Sequence, residues 1–246
     1  MIYVYFSYQD DAATLAMSVA RLREIVGSSA RIYIINDAAA PIPHERLPHG
    51  TLHRLSHYDR GGSGTGIPAL RGQLETIRDL LRDSGATFAV KIDSDIWVNS
   101  LSPFNHEPTG TPPADFLACE GSRALLPMGC TYRLTRWAVD TALRLLDERP
   151  AHSWPPATYA EAITLWHLLT TTHLSLRLIP ASLGYLSGFY LSHTSLPHAV
   201  SAAGLIHCGE PHMEGGQLVR ASRELTRTRM LLLQIQNIHP NTAEHD

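Results

Sequence analysis

VKIDSDIWV, at residues 90–98 of this 246-residue chain, carries the pattern on which the predicted fold and site depend. The apolar run at 88–92 predicts a buried strand, and Asp93 and Asp95 follow it directly. Two carboxylates this close repel each other, and a divalent cation removes that cost. Ligands gather at the carboxyl ends of strands in an open α/β sheet, so the pattern predicts a metal and diphosphate site. The alternative is an ordinary turn closed by Asx hydrogen bonds, but apolar residues on both sides are not typical of a solvated turn.

Short β-rich runs and helical periodicity alternate along the rest of the chain. The predicted strands are apolar and β-rich and lie at residues 2–6, 31–35, 52–55, 88–92, 116–118 and 176–179. The predicted helices have apolar residues at helical spacing and lie between Asp11 and Gly27 and at residues 69–81, 135–146, 159–169 and 217–238. Thr135 is expected to cap the helix at 135–146. Residues 184–212 are expected to be rich in loops. This alternation predicts an α/β fold with a mixed, mostly parallel central sheet flanked by helices.

Composition excludes several classes of protein. The formal net charge of −3 argues against nucleic acid as a partner, because a polyanion needs a clustered basic surface. Cys119, Cys130 and Cys208 form no CxxC pair, which favours a reducing, cytoplasmic location. No apolar run approaches the roughly 20 residues of a transmembrane helix, so no transmembrane segment is expected. The arginine-bearing C-terminal helix can make a peripheral contact with anionic lipid, contact a partner, or pack on the domain.

The segment at 90–98 resembles the DxD signature of nucleotide-sugar glycosyltransferases with the GT-A fold. The order of parts is similar too: a strand ending near Ser7, a strand ending at Asp37, a helix, and then the acidic motif. Residues 101–104 and 129–134 also resemble segments of that family, and the likeness covers most of residues 1–210.

The resemblance implies one GT-A-like domain over residues 1–246. Its parts would be a Rossmann-like nucleotide-sugar-binding half at 1–100, an acceptor-side half at 101–215, and a C-terminal helix and tail at 216–246. The implied activity is that of a metal-dependent hexosyltransferase with Mn²⁺ or Mg²⁺ as cofactor. It would move a sugar from a nucleoside diphosphate sugar, UDP-linked by expectation, to a hydroxyl of a glycan, lipid or small-molecule acceptor.

The resemblance also implies a set of metal ligands. Asp95 is the expected direct ligand, and Asp93 is expected to bind metal, ribose or the donor sugar. His207 would complete the site, with His212 as the alternative, because imidazole is an acceptable ligand for manganese. For His207 the other interpretation is an ordinary loop histidine.

Several further residues are expected to contact the nucleotide sugar. These residues are Phe6, Ser7, Tyr8, Asp37, Arg71, Lys91 and Ser94. The first four would surround the nucleoside, because both strand ends open onto one crevice. The alternatives are that Arg71 is a solvated helix residue and that Lys91 balances the nearby acids.

Glu161 is the candidate catalytic base that acts beside the catalytic Asp95. Inverting glycosyl transfer needs a group that accepts the proton of the acceptor hydroxyl, and the family places a carboxylate at the start of the corresponding helix. Its usual neighbouring acid is Ala162 here, and a glutamate favoured by the helix dipole is the alternative. If the enzyme retains configuration, Glu120 is expected to face the donor sugar instead.

Three rival functions are compatible with an α/β chain. A sugar-phosphate nucleotidyltransferase should carry a glycine-rich, basic loop after the first strand, where residues 7–11 are SYQDD. A haloacid-dehalogenase-like phosphatase would have a small β-branched residue where Trp97 stands. A catalytically silent nucleotide-sugar-binding protein is the third.

Overall fold

The computed structural model of the chain describes residues 1–57, 67–105, 110–121, 124–148, 161–180, 185–187, 204–209, 212–214, 217–219 and 221–238. Its strands are β1 Ile2–Ser7, β2 Ile32–Asp37, β3 Leu52–Ser56, β4 Phe88–Ile92, β5 Ile96–Val98, β6 Phe116–Gly121, β7 Ala124–Thr135, β8 Leu176–Ile179, β9 Tyr185–Ser187, β10 Leu205–His207, β11 His212–Glu214 and β12 Gln217–Val219. Its α-helices are α1 Ala12–Val26, α2 Ile67–Ser84, α3 Ser102–Asn105, α4 Arg136–Glu148, α5 Glu161–Leu169 and α6 Arg223–Ile238. Short 3-10 helices lie at Gln9–Asp11 and His44–Arg46.

The central sheet of the described residues has the strand order β3-β2-β1-β4-β7-β6-β8. β1 pairs in parallel with both β2 and β4, and β2 with β3. β7 runs antiparallel to β4 and β6, whereas β8 is parallel to β6. The predicted mixed sheet flanked by helices is confirmed. Because β1, β2 and β4 are parallel, their carboxyl ends, where Ser7, Asp37 and Asp93 stand, meet at one edge of the sheet.

Each face of the central sheet carries its own apolar core. Successive side chains of a strand point to opposite faces. Ile2, Val4 and Phe6 of β1 therefore pack in the cluster that includes α2, α4 and α5, and Tyr3 and Tyr5 pack in the cluster that includes α1. Burial of each large apolar side chain contributes about 1.5–3 kcal/mol. Strands buried on both faces appear as continuous apolar runs, which is why their positions were predictable.

A smaller sheet, with the order β5-β10-β9, lies on the α1 side of the central sheet. Met230 and Leu233 of α6 pack with Trp97 of β5 and Ile206 of β10 in a third buried cluster. The C-terminal helix is thus packed on the domain. The expectation of loops over residues 184–212 is wrong in part, since β9, β10 and the start of β11 lie there. Strands of three residues are too short to show a periodic pattern.

The start of the C-terminal helix differs from the prediction. The helix begins at Arg223 and not at residue 217, because Gln217–Val219 pair antiparallel with β11. Ser222 supplies the physical reason, since its hydroxyl accepts the Leu225 N–H at 3.1 Å, the bond of a helix N-cap.

The cap predicted for α4 is confirmed. The Thr135 hydroxyl accepts the Ala138 N–H at 3.1 Å, which satisfies one of the orphan donors of the first helical turn. Among the described helices, none is both long and apolar enough to cross a membrane. The division into a donor half, an acceptor half and a tail stays a prediction.

Candidate active site

The acidic tripeptide forms the turn between β4 and β5. The Ile96 N–H donates to the Asp93 carbonyl at 3.2 Å and closes the turn. The side chains of Asp93 and Asp95 are 24% and 29% exposed, whereas Ser94 is buried. The turn interpretation and the site interpretation are therefore compatible, because a tight turn holds both carboxylates at the carboxyl end of a central strand.

Asp93 is paired with Lys91 of β4. The Lys91 ammonium lies 2.6 Å from Asp93 Oδ1, and the lysine side chain is only 3% exposed. The same ammonium lies 5.3 Å from the centre of the Tyr132 ring, within the range of a cation–π contact. A buried ammonium is costly unless it is paired, so this ion pair stabilises the turn. Lys91 balances an acid here, and its contact with a donor stays a prediction, as do the ligand roles of Asp93 and Ser94.

Asp95 lies beside His207 because of the register between β5 and β10. β5 and β10 are antiparallel with Ile96 opposite His207, and the Cys208 N–H donates to the Asp95 carbonyl at 3.0 Å. This register brings His207 Nε2 to 3.3 Å from Asp95 Oδ2. Two residues expected from sequence to bind one metal are therefore neighbours in space.

The donor set at this point suits a hard or borderline divalent cation. One carboxylate and one imidazole are acceptable to Mn²⁺, and both Mn²⁺ and Mg²⁺ complete their shells with water and phosphate oxygens. Within the described part of the chain, no three His, Cys, Asp or Glu side chains converge as a metal site. Asp95 and His207 are placed so that they could hold an ion together with nucleotide oxygens, and metal ligation by Asp93, Asp95 and His207 stays a prediction.

Gly209 lies directly against the Asp95 carboxylate. A Cβ added at this position would overlap Asp95 Oδ2. Any larger residue must therefore displace the carboxylate, and the glycine keeps the backbone close to the oxygen that faces His207.

The Cys208 carbonyl is held by α6. Arg229 is 4% exposed, and its guanidinium donates to that carbonyl at 2.7 Å. The Cys208 side chain is buried beside Trp97 and Met230. Burial, reinforced by the nearby Asp95 carboxylate, raises the pKa of its thiol, so the cysteine acts as an apolar packing residue. The end of β10, which carries His207, is thus fixed from one side by Asp95 and from the other by α6.

A cleft of about 700 Å³ opens beside Asp95. Its described lining comprises Tyr8, Asp10, Asp11, Ala13, Thr14, Asp95, Gly209, Ala221, Ser222, Arg223, Glu224, Thr226 and Arg227. One wall comes from the end of β1, the 3-10 helix, α1 and the turn after β4. The opposite wall comes from Gly209 and the first turns of α6. The cleft is polar and large enough for part of a nucleotide sugar.

Of the four residues expected around the nucleoside, one lines the cleft and three are buried. Tyr8 lines the cleft, whereas Phe6, Ser7 and Asp37 are buried. Phe6 belongs to the core on the α2 side, and Asp37 Oδ1 accepts the Ala39 N–H at 3.1 Å. Nucleoside contacts by these buried residues stay predictions.

Arg71 has acidic protein partners on the helical face of the domain. Its guanidinium lies 2.6 Å from Asp147 of α4 and 3.7 Å from Glu75, one turn along α2. These pairs match the alternative of a solvated helix residue, and a donor contact stays a prediction.

For two of the three remaining candidates, the structure describes the backbone alone. Glu161 is the first residue of α5 and His212 the first of β11, and both side chains lie outside the described residues. Glu120 lies half-buried on β6. The roles of all three stay predictions.

Three residues of the site were missed by the sequence argument, namely Gly209, Arg223 and Arg229. The arginines of the last helix were visible in the sequence, but their spacing alone did not indicate that two of them face the loop after β10 and the end of β1.

Comparison with known proteins supports the fold. No family model matches the chain, and no curated protein matches its sequence. Among solved structures, the galactosyltransferase LgtC in complex with donor and acceptor sugar analogues matches with a TM-score of 0.54 and 10% identity, covering 84% of this chain and 86% of that chain. An active-site mutant of LgtC gives the same values.

A second glycosyltransferase has a similar fold. It is involved in the glycosylation of the major capsid of PBCV-1 and matches with a TM-score of 0.57 and 13% identity, covering 94% of this chain and 98% of that chain. At these identities the likeness concerns the fold. The chain has the GT-A fold, as the sequence resemblance predicted.

Proposed function

We propose that the protein is a metal-dependent glycosyltransferase that moves a sugar from a nucleoside diphosphate sugar, UDP-linked, to an acceptor hydroxyl. The observation that carries the proposal is the meeting of Asp95 and His207, at 3.3 Å, beside a cleft of about 700 Å³. Solved structures that share the fold include glycosyltransferases, one of them bound to donor and acceptor sugar analogues. The acceptor is a glycan, a lipid or a small molecule.

Asp95 and His207 would hold Mn²⁺ or Mg²⁺ at the end of β4. The bound ion would neutralise the negative charge that develops on the departing nucleoside diphosphate. Asp95 faces His207 because the β5–β10 register and the Cys208 bond to its carbonyl fix both backbones. Lys91 keeps Asp93 anchored on the other side of the turn, so that the turn is rigid when the donor binds.

Glu161 is our candidate for the base. Its position at the start of α5 puts it after the long strand β7 and helix α4, on the acceptor side of the expected domain plan. The acceptor oxygen would form a bond to the anomeric carbon, the bond from that carbon to the diphosphate oxygen would break, and the acceptor proton would pass to Glu161.

A sugar-phosphate nucleotidyltransferase is less well supported. Such an enzyme binds triphosphate in a glycine-rich, basic loop after the first strand. In this chain β1 is followed by Tyr8 and a 3-10 helix that bears Asp10 and Asp11, so acidic residues stand where that loop would be.

The proposal is tested by release of UDP from a panel of UDP-sugars, with and without Mn²⁺. The expected result is metal-dependent release that rises when an acceptor is present, and slower turnover in Glu161→Gln with unchanged UDP binding. Binding of UDP without any release or transfer would indicate the silent nucleotide-sugar-binding protein instead.

A further inference from the structure

Arg223 crosses the cleft from its C-terminal wall to its N-terminal wall. It is the first residue of α6, and its guanidinium forms an ion pair with Asp10 of the 3-10 helix after β1. The same group contacts the Tyr8 hydroxyl at 3.4 Å and lies 5.9 Å from the centre of the Tyr8 ring. One arginine therefore joins two segments that are far apart in sequence, at the mouth of the cleft that contains Asp95.

The ion pair between Arg223 and Asp10 can be replaced by another interaction at little cost in stability. The side chains of Arg223 and Asp10 are 65% and 35% exposed, and solvent-exposed ion pairs contribute little to stability. Arg227, one helical turn further along the same wall, forms no ion pair with the described residues. Two guanidinium groups thus face one cleft, and among the described residues Asp10 is the acid that pairs with one of them.

The excess of acidic side chains in the cleft lining indicates a role for Arg223 and Arg227. Asp10, Asp11, Asp95 and Glu224 outnumber the cations of the described lining, which are Arg223 and Arg227. A diphosphate placed beside Asp95 would be repelled unless cations neutralise it on more than one side. A metal at Asp95 and His207 would act on one side, and guanidinium groups bind phosphate oxygens in a two-pronged geometry on the other.

We propose that Arg223 is a latch that exchanges Asp10 for the diphosphate of the nucleotide sugar when the donor enters, with Arg227 as the second cation. The inference rests on the proposed function, because it identifies diphosphate-binding side chains of the same cleft. Asp10 then acts as a competitor that holds Arg223 while the cleft is empty.

Calorimetric titration with two probes tests the latch. The first probe is UDP with Mn²⁺, and the second is inorganic pyrophosphate with Mg²⁺, which has no nucleoside. Arg223→Gln is expected to weaken the binding of both probes about 10- to 100-fold, since the lost bonds are charge-assisted, and Arg223→Lys should lie in between. Arg144→Gln, which removes an exposed arginine paired with Glu148 on α4, is the matched control and should bind as the unmodified protein does.

The variant Asp10→Asn tests specifically whether Asp10 competes with the diphosphate for Arg223. In this variant Arg223 has no competing carboxylate at Asp10, so both probes should bind about two- to fivefold more tightly. That factor corresponds to the free energy of one exposed ion pair. In the Arg223→Gln background the same substitution should tighten binding clearly less, because only the repulsion by Asp10 is then removed and no arginine is released. Thermal unfolding of each variant confirms that it is folded.

Two results overturn the latch while leaving the proposed function intact. One is equal binding of UDP by Arg223→Gln and the unmodified protein. The other is tightening by Asp10→Asn that is equally large with and without Arg223, which would indicate simple removal of a repelling charge. If the unmodified protein binds neither probe, both the latch and the proposed function are wrong.

Discussion

The two walls of the cleft are built in different ways. The N-terminal wall lies at the ends of parallel strands that are buried on both faces. The Lys91–Asp93 ion pair holds the turn after β4 in place. The C-terminal wall is held by a smaller apolar cluster around Met230 and by two polar contacts, from Arg229 to the Cys208 carbonyl and from the Cys208 N–H to the Asp95 carbonyl. Substitutions at the buried Lys91–Asp93 anchor of the first wall should therefore affect mainly folding, whereas substitutions in the second wall should affect ligand affinity as well.

Asp93→Asn should have the largest effect on stability. The substitution leaves the Lys91 ammonium buried without its carboxylate, so we expect the free energy of unfolding to fall by about 2–4 kcal/mol. Denaturant titration measures it. Asp83→Asn is the control, because Asp83 is paired with Arg82 at the surface and its loss should change the free energy by no more than about 0.5 kcal/mol. Equal effects of the two variants would show that the first wall does not depend on this pair.

Arg229→Met should come next and should affect both properties. Loss of the guanidinium leaves the buried Cys208 carbonyl unpaired, which costs about 1–3 kcal/mol of stability. We also expect about tenfold weaker Mn²⁺ binding, because residues that orient metal ligands typically contribute 10- to 100-fold in affinity. Arg229→Lys should restore part of the affinity. Lower stability with unchanged Mn²⁺ affinity would mean that the arginine only packs the helix.

Gly209→Ala should change binding more than folding. The added methyl overlaps Asp95 Oδ2, and the half-exposed carboxylate can turn away into the cleft in the ligand-free protein. Binding requires it to return, so the cost of about 1–3 kcal/mol for overpacking should appear as roughly tenfold weaker binding of UDP with Mn²⁺. A variant with unchanged affinity and a lower melting temperature would contradict this division of effects.

Two buried cysteines give the smallest expected signal, because Cys119 lies on β6 of the central sheet and Cys208 lies next to Gly209 of the C-terminal wall. Burial raises the pKa of Cys119 to about 12 and also raises that of Cys208, so neither thiol is ionised at pH 8 in the folded protein. Both should resist a thiol reagent until the chain opens. Mass spectrometry of each cysteine peptide should show Cys208 labelled sooner than Cys119, because the second wall opens locally. The reverse order would mean that the C-terminal wall is the more stable one.

Much of the fold was predictable because its signals are local. The apolar runs that became β1, β2 and β4 and the cap at Thr135 depend on neighbouring residues only. The start of α6 and the three-residue strands β9 and β10 were missed, because long-range pairing and the Ser222 cap decide them.

The candidate site divides in the same way. Asp93 and Asp95 were found from a local motif, and His207 from a family resemblance, but its contact with Asp95 arises from the β5–β10 register. The partners of Arg223 and Arg229 come from the packing of α6 on the second sheet. No pattern within the helix indicates those partners, since they lie in distant parts of the chain.

The central claim is that Asp95, held beside His207, binds a metal and a nucleoside diphosphate together. Calorimetric titration of UDP into the protein in Mn²⁺ tests it most directly, with Asp95→Asn as the variant. We predict binding by the unmodified protein only when Mn²⁺ is present, and binding more than about 100-fold weaker in the variant, beyond the range typical of residues behind metal ligands. Equal UDP binding by a folded Asp95→Asn protein in Mn²⁺ would contradict the claim.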